Sequence, residues 1–110
     1  MDTAHDAIDV TALDRAASEA AGMLRVLSNP SRLRLLCALL PGPLCVGELE
    51  QQLGASQSYV SGQLARMRAE GLVAADREGR VVYYRLADPR LEPILETLFD
   101  VFCRPAQPAT

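Results

Sequence analysis

The amino-acid sequence predicts a mainly α-helical fold carrying one small β-hairpin. Three observations lead there. Apolar residues recur at three- and four-residue steps in separate stretches, the period of a helix with one buried face. Around Glu78-Gly79 the pattern changes to alternation, the period of paired strands. Two of the helical stretches are joined only by Gly54-Ala55-Ser56, a three-residue turn containing glycine. A chain of 110 residues has room for one small core, so residues 1–110 read as a single domain, with 1–9 and 104–110 as flexible tails.

The first helix starts near Val10, with Leu13, Ala17, Ala20, Leu24 and Leu27 on one stripe. Its alanines allow a neighbouring helix to come close. Ser28-Asn29-Pro30 ends this helix and opens the next, because Asn can cap and Pro suits a first turn. The second helix runs from Pro30 to about Leu40 and is apolar nearly all round, as a central helix is. Pro41-Gly42-Pro43 stops it. The third helix covers about Cys45 to Leu53, with Val46, Leu49 and Leu53 inward. The fourth follows Ser56 as N-cap and buries Val60, Leu64 and Met67; Gly71 closes it. Strands Leu72 to Asp76 and Arg80 to Leu86 flank a turn at Arg77-Glu78-Gly79-Arg80. Pro89 opens a last helix with Leu91, Ile94, Leu95, Leu98, Phe99 and Phe102 on one face. The apolar stripes of the first and last helices exceed what one small core needs. A symmetric homodimer through these two helices accounts for them.

Helix, turn, helix and hairpin in this order make a winged helix-turn-helix, which lays its second helix in the major groove of DNA. A net charge of −3 argues against DNA only until its distribution is considered. Residues 1–20 carry five acids and one Arg, whereas residues 56–90 carry six Arg and four acids. No lysine occurs, so every basic side chain is a guanidinium, suited to bidentate phosphate and base contacts. The outer face of the fourth helix holds Ser58, Ser61, Gly62, Ala65 and Ala69, with Tyr59 and Arg66 to one side and Gln57 at the start. Small residues let a backbone sit deep in a groove, and Gln57, Ser58 and Ser61 can reach base edges. Arg66, with Arg77 and Arg80 at the hairpin tip, is assigned to phosphate. The same small face also suits packing on another chain, and the same arginines suit a charge-guarded sheet edge.

The residues carry a family resemblance further. "LSNPSRLRLLCALL", "SQSYVSGQLARMRAEGLVAADREGRVVYYRLAD" and the final helix resemble the ArsR/SmtB family of bacterial repressors from about residue 20 to residue 103. The resemblance implies a homodimer on a pseudo-palindromic double-stranded operator. Metal sensing, common in that family, meets departures here. Cys45-Val46-Gly47 lacks the second thiol of a Cys-Val-Cys site, and His5 is the only histidine, so a His-rich site on the last helix cannot be built. "LLCALLPG", "QLARMRAEGLV" and the Phe-Cys ending resemble the persulfide-sensing SqrR/BigR branch instead. Its two working cysteines correspond to Cys37 and Cys103, with Cys45 outside the pair. The resemblance thus implies persulfides or polysulfides as inducer, and neither cofactor nor resident metal. Gly62 departs from it, since relatives place a longer polar residue there.

Thiolates do this chemistry, so the branch's mechanism calls for partly exposed cysteines of lowered pKa. By position alone, Cys37 equally suits a small buried hydrophobe and Cys103 an inert exposed thiol. A metal-responsive repressor using cysteine thiolates, and a dimerisation or adaptor module that binds no DNA, remain the alternative functions. An enzyme is excluded by the single histidine in an acidic tail, with no Gly-rich phosphate loop. Three widely spaced cysteines do not make a secreted disulfide framework, and no apolar run is long enough for a bilayer. A cytoplasmic protein without membrane contact is expected.

Overall fold

The structure is a computed structural model and describes residues 8–103. Its elements are α1 (Val10–Leu27), α2 (Pro30–Ala38), β1 (Leu44–Cys45), α3 (Val46–Leu53), α4 (Gln57–Ala69), β2 (Val73–Glu78), β3 (Val81–Leu86) and α5 (Leu91–Phe102). They fall into two compact units, one up to Pro30 and one from Ser31.

The first unit is α1. Residues 1–7 of the expected N-terminal tail lie outside the described residues. Asp9, expected to be frayed, instead caps the helix: its Oδ1 accepts from the Thr11 N–H at 3.0 Å. Met23 and Leu27 are buried, while Leu13 and Leu24 of the expected stripe are more than half exposed.

The second unit holds the helix-turn-helix and its wing. Leu35, Leu36 and Leu39 are buried from the α2 side, Leu49 from α3, and Val60, Leu64 and Met67 from α4. Leu72 and Val73 at the start of β2, with Leu91 and Leu95 of α5, complete this set. The expected inner stripe of α4 is therefore the observed one, whereas of the expected α3 face Leu49 is buried and Val46 and Leu53 are half-buried. Helix α4 ends on a Schellman motif. The Leu72 N–H donates to the Met67 carbonyl at 2.9 Å and the Gly71 N–H to that of Arg68 at 3.0 Å. Gly71 sits at φ 79°, where a Cβ would be strained. The motif turns the chain so that Leu72 is buried, and this aims the wing.

The wing differs from the expected two-stranded hairpin. Leu44 and Cys45 form a short strand antiparallel to β3, paired with Tyr84 and Tyr83, and the sheet order is β1-β3-β2. Pairing of β2 with β3 continues to Glu78 opposite Val81, so the loop is only Gly79-Arg80. Gly79 has φ 66°, as a two-residue loop with glycine first requires. Arg77 therefore lies within β2, opposite Val82, and not in the turn.

Pro89 does not open α5. It lies in a turn organised by Asp88, whose Oδ1 accepts from the Arg90 N–H at 2.9 Å and Nε at 3.1 Å, and whose Oδ2 accepts from Nη2 at 2.8 Å. These bonds from Arg90, side chain first and then backbone, hold the Asp88 carboxyl below its ordinary pKa. A lowered folded-state pKa contributes stability that is present above the unfolded value and lost as pH falls through the folded one. Arg90 is more than half exposed, so solvent screens the pair. Asp88→Asn is expected to destabilise the fold at neutral pH by about 1 kcal/mol. That difference should shrink in denaturation curves as pH falls from the ordinary Asp range through the lowered folded-state value, below which the wild-type carboxyl is protonated too.

Candidate functional site

Two groups of residues carry chemistry, and both lie in the second unit. The first is the outer face of α4 with the wing tip. Ser56 Oγ accepts from the Tyr59 N–H at 3.2 Å and so starts α4 with its first turn outward. Gln57, Ser58, Tyr59, Gly62 and Arg66 are exposed, and Ser61 is half-buried. Gln57 Nε2 donates to Ser61 Oγ at 3.0 Å, so two of the expected base readers occupy each other without DNA. A Cβ built on Gly62 would meet nothing within 4 Å, so no packing within the chain requires glycine there. Arg77 and Arg80 are exposed at the wing tip, and Arg77 Nη1 bonds the Gly79 carbonyl at 3.4 Å. Arg85, by contrast, is held by Asp76 across the hairpin at 2.8 Å.

The second group is the thiols. All three cysteines are free. Cys37 is half-buried in the last turn of α2, and Cys103 is exposed as the C-cap residue of α5. The pKa of Cys37 is raised, first by burial and second by the charge of Cys103. A cavity of about 320 Å³ opens between Leu40 beyond α2 and Glu96, Phe99 and Asp100 of α5, and neither cysteine lines it. The expectation of lowered thiol pKa values fails for Cys37. Its place among leucines disfavours the thiolate, and a second negative charge nearby disfavours it further. Cys45 ends β1 and starts α3, where its N–H donates to Glu48 Oε1 at 3.0 Å. Sequence reasoning placed it at the start of the third helix, without the strand pairing.

Sequence reasoning also missed what the arginines of α2 do. Arg32 bonds Glu70 through both nitrogens, at 2.8 and 3.1 Å, and Arg34 Nη2 donates to the Leu53 carbonyl at 2.9 Å. Among the described residues, no group of three or more His, Cys, Asp or Glu side chains is placed to hold a metal ion. No helix among them is long and apolar enough to cross a membrane.

A helix-turn-helix closed by a β-wing defines a winged-helix DNA-binding protein. The comparisons with known proteins agree. The model of bacterial regulatory proteins of the arsR family matches residues 29–75. The biofilm growth-associated repressor of Agrobacterium fabrum is 38% identical over 100 residues, covering 91% of this chain and 86% of that protein. Among solved structures, the transcriptional repressor BigR from Xylella fastidiosa superposes with a TM-score of 0.78 at 36% identity, over 89% of this chain and all of that one. Reduced HlyU from Vibrio cholerae does so with a TM-score of 0.75 at 35% identity, over 84% and 97%. The chain belongs to the ArsR family of bacterial regulatory proteins. It is a DNA-binding transcriptional regulator and not an enzyme.

The environments of the two thiols set an order of reactivity. Cys103 should be alkylated by iodoacetamide well before Cys37 at neutral pH. The Cys37 rate should keep rising with pH beyond the point where an ordinary thiol levels off, because its pKa is raised. Peptide mass spectrometry over a time course at several pH values reads both rates.

Proposed function

We propose that the chain is a homodimeric repressor that releases its operator when Cys37 and Cys103 are joined through sulfane sulfur. What supports this reading is a pair of free thiols, one exposed at the end of α5 and one half-buried in the last turn of α2, with Cys103 adding to the rise of the Cys37 pKa. The likeness to BigR, a repressor, and to a HlyU described as reduced agrees with it.

Cys103 reacts first, being the exposed thiol. Its thiolate attacks the outer sulfur of a persulfide R–S–S–H. The reagent's S–S bond breaks, and R–S⁻ leaves and takes the proton. Cys37 acquires a sulfur in the same way. The terminal sulfur of one persulfide then attacks the inner sulfur of the other and expels HS⁻, leaving a three-sulfur bridge. Two thiols and two R–S–S–H thus become one trisulfide, two R–SH and one H₂S. If Cys37 attacks the Cys103 sulfur directly, HS⁻ again leaves and a disulfide results. An inserted sulfur relaxes the geometry that a disulfide demands.

The dimer explains the apolar surface. Leu13 and Leu24 of α1 and Phe99, Val101 and Phe102 of α5 are 43% to 78% exposed in the single chain, and a second copy covers them. Two-fold symmetry then places two α4 helices on half-sites about one helical turn apart. Gln57, Ser58, Tyr59, Ser61 and Gly62 face the bases, and Arg66, Arg77 and Arg80 hold phosphate. A bridge between α2 and α5 changes the spacing of the two heads, and a coupling of about 1–3 kcal/mol suffices for release.

Arg80→Ala should weaken binding to operator and random DNA alike. It should flatten the plot of log affinity against log salt by about 0.9 for each phosphate that the variant no longer neutralises. An unchanged slope removes the wing from the interface.

Glutathione persulfide should release operator DNA from wild type and from Cys45→Ser, but not from Cys37→Ser or Cys103→Ser. Intact mass should show the added sulfur within one chain. Loss of response in Cys45→Ser alone would assign the wrong pair, and stoichiometric metal on the purified protein would favour a metal-responsive repressor instead.

A further inference from the structure

Helix α2 carries two arginines that leave it in different directions and end on different helices. Arg32 meets Glu70 fork to fork, Nη1 to Oε1 at 2.8 Å and Nη2 to Oε2 at 3.1 Å. The Arg32 side chain is only 15% exposed, which shields the pair from solvent on that side. Glu70 is the C-cap residue of α4. Arg34 donates to the carbonyl of Leu53, the last residue of α3, at 2.9 Å. Each tie ends at a helix C-terminus, where unmatched carbonyls and the helix dipole favour a guanidinium. One nine-residue helix therefore holds the C-terminal ends of both helices of the helix-turn-helix, and its last turn carries Cys37.

We propose that Arg32 and Arg34 are positioning residues that transmit a Cys37–Cys103 link to the DNA-reading helix. This rests on the reading of the thiol pair as a switch. Apolar burial of α2 is non-directional and does not by itself fix the angle of α4 to it. A bidentate pair fixes both angle and register, so α4 follows α2 when the link draws α2 toward α5. The tie acts at the far end of α4 from Gln57 and Ser58. A helix of that length spans roughly 20 Å, so a rotation of roughly 10° at Glu70 moves the reading end by about 3 Å. That displacement breaks base hydrogen bonds, which need donor and acceptor within about 3.2 Å.

The test separates the tie from the inducer. In the full chain carrying Cys45→Ser, dibromobimane joins the remaining two thiols: each thiolate displaces one bromide and forms one C–S bond. Operator affinity of the reduced and bridged forms is read by anisotropy of a labelled duplex. With both ties intact, bridging should lower affinity about tenfold. Glu70→Gln, which keeps the packing but loses the charge, and Arg34→Met, which keeps the stem, should each cut that ratio below about threefold. Their reduced-form affinity should stay within about threefold of the parent. Arg32→Lys, which keeps the charge but loses the fork, should behave like Glu70→Gln. An undiminished ratio in Glu70→Gln and Arg34→Met overturns the proposal, and so does a bridge without effect on the parent. A parent that ignores persulfide but is loosened by the bimane bridge would sink the sensing reading and leave the relay standing.

Discussion

The structure from Ser31 onward depends on the burial of one short helix. Leu35 and Leu36 of α2 have no exposed surface, and Leu39 in the turn after it has almost none. Each such side chain contributes about 2 kcal/mol relative to exposure. A helix packed like this transmits a displacement to its neighbours instead of absorbing it, because close-packed interiors transmit strain. It therefore sets the position of whatever is tied to it. Arg32 and Arg34 are tied to the helix-turn-helix, and in the proposed switch Cys37 is the residue through which chemistry on α5 reaches it.

The charge of the chain illustrates how little a net figure decides. At −3 the molecule should be repelled by DNA at long range. The acids near α4 and the wing are largely engaged: Glu70 by Arg32, Asp76 by Arg85, Asp88 by Arg90. Pairing Asp76 with Arg85 along the hairpin leaves Arg77 and Arg80 to dominate the wing tip. Within α4, the Gln57–Ser61 hydrogen bond is a neutral pair that can exchange one partner for a base edge at small net cost, since one hydrogen bond replaces another.

Much of this was legible in the sequence, for definite reasons. The α4 stripe Val60, Leu64, Met67 lies at helical spacing between a serine cap and a glycine stop, and the structure buries all three. The features that escaped are those whose cause is not local. The strand Leu44–Cys45 has only two residues and exists because β3 offers it an edge, so no periodicity could reveal it. The pair Arg32–Glu70 spans 38 residues, and nothing near either end announces the other. The Cys37 pKa was expected to fall because the imagined chemistry asked for a thiolate. Its neighbours on α2 are leucines, and burial among them moves the thiol the other way.

That reversal changes what the thiol pair is suited to. Two equally acidic exposed cysteines would close on any oxidant. Here burial raises the pKa of the half-buried partner, so in the proposed switch its attack depends more strongly on the leaving group of the first adduct. The rate of thiol exchange depends on the pKa of the group expelled, and lower values leave faster. A persulfide on Cys103 expels hydrosulfide, a much weaker base than an alkyl thiolate. A mixed disulfide on Cys103 must instead expel an ordinary thiolate. Where Cys37 closes directly on a Cys103 persulfide, its burial thus acts as a threshold on that step. In the proposed switch, selectivity for sulfane sulfur arises from the leucine-rich helix that also positions the DNA-reading head.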